Sequence, residues 1–459
     1  MVVVEISPID YRYGRMEVKS IFTQENRLKM MLLVEHAVLE ARSELELLPR
    51  KVPDDLKRLI ASSASMLEEI NREESITRHD VMAIINVVNR HSKGLGEYLH
   101  SGMTSNDVND TATALQLKAF LSLYVKSLNR LLLSISKIVK DHALSVMMGR
   151  THGQHASPVT LGLKMSVYLA EMNRHAERLL QAYPRILVGK IRGPVGTGAG
   201  LGARALEIED QSLNILGLSV EENSTQLIGR DRYIEFLSLL VNISATIERL
   251  ATEIRNLQRP EIAEIGEGFD RKSQVGSSSM PSKMNPITSE NICSLARLIR
   301  GFLTPQIEGS ILWHERDLTN SALERFTIPY TCILSDYIAV KLSEVLENLW
   351  IDKKRMLQNI LSDPMSMSES VVFALTSKGV PRSEAHELVR KASMHSRSPD
   401  DFPRNIIEFA GNKITDRELA YALDPKNFIG ASKVICSRTL KRNARMMRDL
   451  DKMGEVLVS

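Results

Sequence analysis

The chain has 459 residues, about three times the usual length of one domain, which is ample for a large buried core. Its 59 Lys and Arg against 56 Asp and Glu give a net charge of +3, and 43% of its residues are apolar, so a disulfide-stapled miniprotein and an obligate nucleic-acid binder are both excluded. Three scattered cysteines indicate free thiols in a reducing compartment, and the cytoplasm is therefore expected. Neither a signal peptide nor a run of roughly 18 apolar residues occurs, so export and a membrane partner are not expected.

Helical periodicity dominates the middle of the chain. In three stretches, apolar residues recur every three or four positions, as they do along the buried stripe of a helix. The stripes are Leu117, Leu121, Tyr124, Leu128, Leu131, Ile135 and Ile138; Phe236, Leu240, Ile243, Ile247, Leu250, Ile254 and Leu257; and Ile338, Leu342, Val345 and Leu349. Strand-like alternation is scarce, so the sequence predicts an all-α fold.

Three parts are expected within this fold. They are an amino-terminal helical domain over 1–105, a central bundle of long helices over 106–350, and a carboxy-terminal domain of shorter helices over 351–459. Glycine and proline cluster in a few loops between the helices instead of being scattered. Because loops on a rigid scaffold commonly carry function, we expect the chemistry to lie in these loops.

The first such loop, GRTHGQHASP, carries Thr151, His152 and His155 between glycines and a proline, so these side chains are expected in or beside a turn. Two histidines in such a loop indicate a group that titrates against a ligand near neutral pH. A metal site that includes His79 and His100 is the alternative, but no HxH or HxxxH pair backed by carboxylates supports it. We therefore expect neither a metal nor a cofactor.

The second loop, in the segment GPVGTGAGLGARA, has Gly198, Gly200 and Ala203 at the GxGxxA spacing of a dinucleotide-binding loop. That fingerprint needs a preceding strand and an acidic residue about 20 positions later. The neighbouring segments are helical, which favours a flexible loop between two bundle helices over a Rossmann fold.

The third loop, GSSSMPSKMNP at 276–286, places Lys283 and Asn285 just before a probable helix start at Pro286. An ammonium, an amide and backbone N–H groups could together hold a carboxylate, while Ser277 could reach an adjacent C–H bond. A solvated linker is the alternative interpretation.

Four further segments combine cations with hydroxyl groups. They are TRHD at 77–80, HSGMTSND at 100–107, STQLIGRDR at 224–232 and HERDLTNSALER at 314–325. In a helix, Ser321 and Arg325 would share one face and, with Arg316, could hold a phosphate. The alternative is a solvated helix face with an ion pair.

Taken together, these motifs resemble the fumarase/aspartase superfamily of lyases. GSSSMPSKMNP is similar to its signature loop, and TSNDVND at 104–110 and GRTHGQHASP lie in the superfamily order. This resemblance implies an all-helical fold and elimination of fumarate from a succinyl group. Arg12-Tyr13, Arg78-His79-Asp80 and HERDLTNSALER resemble the branch that acts on adenylosuccinate and succinyl-aminoimidazole-carboxamide ribotide, two small-molecule substrates of purine biosynthesis.

The resemblance also implies residue roles. Ser277 corresponds to the general base and His152 to the general acid, while Lys283 and Asn285 hold the succinyl carboxylates together with Thr104 and Ser105. The other implied substrate contacts are Arg12, Tyr13, Arg78, His79, Asp80, His100, Thr151, Gln226, Arg316, Ser321 and Arg325. Ser282 and Met284 depart from the His and Arg that are common in that branch, which weakens the assignment to the branch and leaves the chemistry intact.

These clusters span residues 12–325 on long helices, so one chain cannot easily bring them to one point. The resemblance implies a homotetramer in which each active site takes loops from three chains, and unbroken apolar stripes suit such a bundle. Two alternatives remain open, namely another member of the superfamily such as an argininosuccinate lyase, and a helical scaffold without activity. Release of fumarate from each succinyl substrate would distinguish them.

Overall fold

The structure is a computed structural model that describes residues 6–92, 94–270, 274, 278–280 and 282–458. Its regular structure is mostly helical, and the strands of the described residues form small two-stranded sheets. The predicted all-α class is therefore confirmed.

The helices fall into three runs along the chain. The first run is α1 (Pro8–Tyr11), α2 (Met16–Lys19), α3 (Gln24–Glu44), α4 (Lys51–Ile60), α5 (Leu67–Thr77) and α6 (Asp80–His91). The second is α7 (Ser105–Asp141), α8 (Leu161–Ile186), α9 (Ala205–Leu216), α10 (Asp231–Leu257), α11 (Ile287–Gly301), α12 (Leu303–Glu308) and α13 (Ser321–Glu347). The third is α14 (Lys353–Leu361), α15 (Ser368–Ser377), α16 (Arg382–His395), α17 (Asp401–Ala410), α18 (Asp416–Leu423) and α19 (Ser432–Val458).

The strands pair two by two. β1 (Val146–Thr151) and β2 (Gln154–Thr160) form an antiparallel hairpin between α7 and α8. The two-residue strands β3 (Val188–Gly189) and β4 (Ser219–Val220) are parallel, whereas β5 (Ile265–Gly266) and β6 (Trp350–Ile351) are antiparallel. The sequence did not predict the hairpin, because its strands are short and are stabilised by packing of Val146 and Met148 on the distant Ile360.

The direction of the long helices determines where the site residues lie. Asp110 in the second turn of α7 contacts Arg230, directly before α10, and Glu324 in the first turn of α13 contacts the same arginine. These three helices therefore begin at one end of the bundle, which we call the proximal end. The loop before α11 contacts Gln258 after α10, and Lys164 near the start of α8 pairs with Glu253, so α8 and α11 begin at the opposite, distal end.

The predicted apolar stripes form the core of this bundle. Every residue of the stripes from Leu117 to Ile138 and from Phe236 to Leu257 is buried, as are Ile338, Leu342 and Val345. They belong to one hydrophobic cluster in which α7, α8, α10, α11 and α13 meet. The last helix, α19, returns from the carboxy-terminal region and packs on α7 and α8, adding Cys436 and Leu450 to the same cluster.

Candidate active site

The start of α7 forms the centre of the proximal end. Thr104 and Asp107 make a capping box, in which the Thr104 N–H donates to Asp107 Oδ2 at 2.8 Å. Asp107 also accepts from the N–H of Gly193 at 2.9 Å and pairs with the buried Lys190. This capped helix start holds Thr104 and Ser105 firmly at a position where helix N–H groups favour an anion.

The GxGxxA segment supports this helix start from outside. Gly102 and Gly200 approach so closely that a Cβ added at Gly102 would lie 2.4 Å from the Gly200 carbonyl oxygen. Gly102 also has a φ of +78°, which side chains rarely adopt. The glycines therefore serve a close backbone contact between two loops, in line with the loop interpretation.

His79 connects the TRHD segment to the start of α7. Its Nδ1 accepts from the Met82 N–H at 3.2 Å and so caps α6, which assigns the ring proton to Nε2. Nε2 then donates to Ser105 Oγ at 3.3 Å. The next residue, Asp80, accepts from Asn109 Nδ2 on α7 at 3.3 Å. The structure thus brings His79 and Asp80 against the start of α7, and Arg78, the C-cap residue of α5, directly precedes them.

His100 is held in the opposite tautomer. Its backbone N–H and its Nδ1 both lie on the buried carboxylate of Glu35, at 2.9 and 2.8 Å. The backbone of His100 has a φ of +58°, and the two hydrogen bonds to Glu35 hold it in this strained conformation. Nδ1 donates to the carboxylate, so Nε2 is left as an acceptor.

Arg316 joins two segments that are far apart in the sequence. Its Nη1 donates to Gln226 Oε1 at 2.7 Å, and Asn106 accepts from the same nitrogen at 2.9 Å when its amide oxygen faces the guanidinium. Burial lowers the pKa of Arg316 from its usual value. Ser321 and Arg325 lie one turn apart at the start of α13, as the prediction of a shared helix face required.

Several guanidinium groups lie close together at the proximal end. Burial, and then the nearby Arg325, lower the pKa of Arg27, whose Nη2 donates to Asn109 Oδ1 at 2.8 Å. Cations that depress one another in this way favour an anionic ligand between them. Arg27 was not predicted as a site residue, and neither were Asn106 and Asn109, although both asparagines lie within the TSNDVND motif.

His152 lies at the distal end. It occupies the exposed tip of the β1–β2 hairpin, where His152 and Gly153 have φ values of +54° and +73°, as in a two-residue turn of type I′. The prediction of a turn at this loop is confirmed. Thr151 precedes it and lines an open cavity of about 650 Å³ together with Lys164 and Arg249. His155 instead pairs with Asp363 at 2.7 Å.

The third predicted loop is also distal. The carbonyl of Met284 accepts from Gln258 Nε2 at 3.1 Å, which keeps Lys283 and Asn285 beside the end of α10. The helix predicted to start at Pro286 begins one residue later, at Ile287, and Glu267 accepts from its Thr288 N–H at 3.2 Å. Ser277, the predicted base, lies outside the described residues.

Arg12 and Tyr13 occupy a third position. The Tyr13 ring meets Tyr337 of α13 edge-on at 5.8 Å, and its hydroxyl accepts from Asn291 Nδ2 of α11 at 3.5 Å. Arg15 anchors the segment through two hydrogen bonds to Asp336, of 2.7 and 2.8 Å. The pair therefore lies against the middle of α13 and the first turns of α11.

The predicted site residues thus form separate groups within one chain. Helix α7 has 37 residues, so its ends are about 55 Å apart at 1.5 Å per residue. The proximal group lies at its start, and the hairpin with His152 follows its end. Even folded back along α7, a six-residue strand would recover only about 20 Å. The proximal and distal groups of one chain cannot face the same small ligand.

The described part of the chain also bears on metal binding and on membrane insertion. No set of three or more His, Cys, Asp and Glu side chains is arranged to hold a metal ion there. Among the helices within the same ranges, none is both long and apolar enough to span a membrane.

Comparisons with known proteins agree along nearly the whole chain. A family model described as "Lyase" matches residues 16–301, and one described as "Adenylosuccinate lyase C-terminus" matches residues 364–439. The adenylosuccinate lyase of Methanothermobacter thermautotrophicus is 37% identical over 96% of this chain and 100% of its own length. That of Bacillus subtilis is 39% identical over 88% of this chain and 93% of its own.

Solved structures show the same architecture. A fumarate lyase from Mesorhizobium sp. BNC1 matches with a TM-score of 0.84 at 26% identity, over 93% of this chain and 98% of its own. A 3-carboxy-cis,cis-muconate lactonizing enzyme from Pseudomonas putida matches with a TM-score of 0.86 at 25% identity, over 95% of this chain and 99% of its own.

Proposed function

The chain belongs to the adenylosuccinate lyase family, and on this premise we propose how its residues divide the reaction. The enzyme is a carbon–nitrogen lyase that eliminates fumarate from adenylosuccinate and leaves AMP. The same elimination from succinyl-aminoimidazole-carboxamide ribotide is its second expected reaction.

The proximal group binds the nucleotide. The observation that carries this assignment is the convergence of Arg316, Gln226 and Asn106, which come from three segments and are joined by hydrogen bonds of 2.7 and 2.9 Å. Arg325 adds a further guanidinium one turn into α13. Such donors suit a phosphate, because charge-assisted hydrogen bonds are stronger than neutral ones. The proximal group further includes Arg78, His79, Asp80, His100 and Ser321. Additional nucleotide contacts are Arg12 and Tyr13.

The distal group carries out the elimination. Removing a proton next to a carboxylate builds a dianion, and each well-placed donor lowers such a barrier by about 3–4 kcal/mol. Lys283 and Asn285 of the distal group hold the succinyl carboxylates together with Thr104 and Ser105, which come from the proximal group of another subunit. His152 protonates the departing nitrogen. Its ring is exposed at the hairpin tip beside Thr151, where a ligand bound by a neighbouring subunit can reach it. The assignment of Ser277 as the base rests on the family motif alone.

Each complete site combines groups from different subunits of a homotetramer. Helix α7, about 55 Å long, separates the proximal group of a chain from its hairpin with His152, so one chain does not supply both groups to one site. If the helix bundles of neighbouring subunits pack antiparallel to each other, the proximal end of one subunit lies beside the distal end of the next. No nucleic acid or membrane partner is proposed, and the proposed compartment is the cytoplasm.

The direct test is fumarate release from purified protein supplied with adenylosuccinate, with formation of AMP measured alongside. Argininosuccinate serves as the control substrate. Turnover of adenylosuccinate alone is expected. Turnover of argininosuccinate alone would favour the other superfamily member, and no fumarate from either would favour a scaffold without activity.

A further inference from the structure

A buried arginine lies directly behind the proximal group. Arg230 donates through Nη1 and Nη2 to the two carboxylate oxygens of Asp110, at 3.0 and 2.9 Å. Its Nε lies 3.0 Å from Glu324 Oε1 on α13. The side chain of Arg230 is only 4% exposed, so its guanidinium is held by these carboxylates and is largely withdrawn from solvent.

This guanidinium joins the elements that carry the proposed nucleotide contacts. Asp110 lies on α7 and also accepts from the Ile228 N–H at 3.0 Å, which holds the segment before α10. Glu324 lies on α13 and accepts from Asn320 Nδ2 at 3.1 Å and Gln306 Nε2 at 3.4 Å. Three chain segments therefore meet at one cation.

The proposed ligand contacts are immediate neighbours of these buried groups. Asn106 lies one helical turn before Asp110, Gln226 lies two residues before Ile228, and Arg325 follows Glu324. A change in the Arg230 contacts would move all three contact residues relative to one another. Arg316, held between Asn106 and Gln226, would move with them.

The composition of the cluster suits positioning better than stabilisation. Burying charges costs solvation free energy, and well-packed apolar residues often stabilise a core equally well. Arg230 faces two carboxylates, and the charge of one of them, Asp110, also acts on Arg316, where it raises the pKa against the effect of burial. The cluster thus sets both the spacing and the charge of the surface in front of it.

We propose that Arg230 is a positioning residue. Through Asp110 and Glu324 it fixes the relative positions of the proposed phosphate contacts on α7, on α13 and in the segment before α10. The identity of the ligand rests on the proposed function. The positioning itself follows from the contacts that join α7, α13 and the segment before α10.

The test compares binding of the two products. Glu324→Gln keeps the shape of the side chain and removes one charge, so it is expected to fold, whereas Arg230→Met leaves two unpaired carboxylates and is the harsher variant. In Glu324→Gln we expect the Kd for AMP, measured by calorimetry, to rise about tenfold, which corresponds to about 1.4 kcal/mol. Fumarate has no phosphate and is held by Lys283 and Asn285 as well as by Thr104 and Ser105, so its inhibition constant should rise clearly less than the Kd for AMP. KM should rise more than kcat falls.

Val389→Ala is the matched control, because it removes apolar volume from the buried carboxy-terminal cluster and touches none of these elements. It should lower thermal stability without changing the Kd for AMP. An unchanged Kd for AMP in folded Glu324→Gln, or equal weakening of AMP and fumarate, would overturn the positioning role. A wild-type protein that binds AMP but releases no fumarate would refute the proposed function and leave this test intact.

Discussion

Thr104 caps the start of α7, and His152 lies in the hairpin that follows the end of the same helix, so a rod about 55 Å long separates them. This relation yields the sharpest prediction about the assembly. His152→Ala and Arg316→Ala should each be nearly inactive. When the two proteins are denatured together and reassembled in equal amounts, about a quarter of the sites should be intact. Such a site takes its proximal group from a His152→Ala subunit and its distal group from an Arg316→Ala subunit, each in half of the cases.

A matched control uses two variants of the same group. Arg316→Ala and Arg325→Ala both affect the proximal end, so their mixtures should recover no activity above the sum of the parents. Activity would be measured as fumarate release after mixed oligomers are verified by mass spectrometry. Recovery in neither mixture would mean that both groups of a site come from one chain.

His79 caps α6 with one ring nitrogen and contacts Ser105 with the other, so its effects on stability and on activity can be measured separately. Asn is a good capping residue, so His79→Asn should keep the midpoint of thermal unfolding near that of the wild type, whereas His79→Ala should cost about 1 kcal/mol. Both variants lack the Nε2–H that donates to Ser105 Oγ. Both should therefore lose kcat/KM to a similar extent, and an active Asn variant would assign His79 a purely structural role.

Replacing Gly14 by alanine should lower stability through a steric clash, and Gly94 serves as the control for backbone strain. Gly14 and Gly94 have φ values of +90° and +85°, but only at Gly14 would an added Cβ lie 2.4 Å from Ile333 Cγ2. Gly94→Ala should cost about 1 kcal/mol through backbone strain, and Gly14→Ala about 1–3 kcal/mol more through overpacking. Denaturant unfolding of both variants measures the difference.

The same comparison tests the nucleotide side. Gly14 lies between Tyr13 and Arg15, so displacement of this segment should raise KM for adenylosuccinate in Gly14→Ala and leave KM unchanged in Gly94→Ala. Equal KM values in Gly14→Ala and Gly94→Ala would show that Arg12 and Tyr13 do not contribute to substrate binding.

His175 predicts an acid-sensitive contribution to stability. Burial lowers its pKa to about 4 from 6.5, and Nε2 donates to Thr246 Oγ1 at 2.9 Å in the neutral form. Below pH 6.5 the imidazole of the unfolded chain binds a proton, whereas the folded imidazole stays neutral until about pH 4. The free energy of unfolding therefore falls as the pH drops from about 6.5 to 4, and His175 does not change it above that range. The loss is about 3 kcal/mol at 1.36 kcal/mol per unit.

His175→Gln keeps a donor for Thr246 and removes the titration. Its free energy of unfolding should fall less between pH 7 and 4 than that of the wild type. His386→Gln, at an exposed histidine of α16, should follow the wild type throughout. Parallel curves for all three proteins would exclude the contribution of His175.

Much of the fold was predictable because helix formation is local. The stripes from Leu117 to Ile138 and from Phe236 to Leu257 repeat at the helical period, and a helix with such a stripe has to bury it. The turn at His152 was predictable for the same reason, since Gly153 and its neighbours permit positive φ values. The motifs that indicate the superfamily are also short and contiguous.

Only the tertiary structure decided which of these local features meet. The sequence alone established helices, turns and candidate side chains, because each depends on residues within a few positions of one another. The pairing of Arg230 with Asp110 spans 120 positions, and that of Arg316 with Gln226 spans 90, so both depend on the directions in which the long helices pack. The ring proton of His79 was likewise decided by the Met82 N–H and Ser105, which reach it only in the folded chain. The division of the site between the two ends of α7 follows from helix length and direction, which the packed core determines.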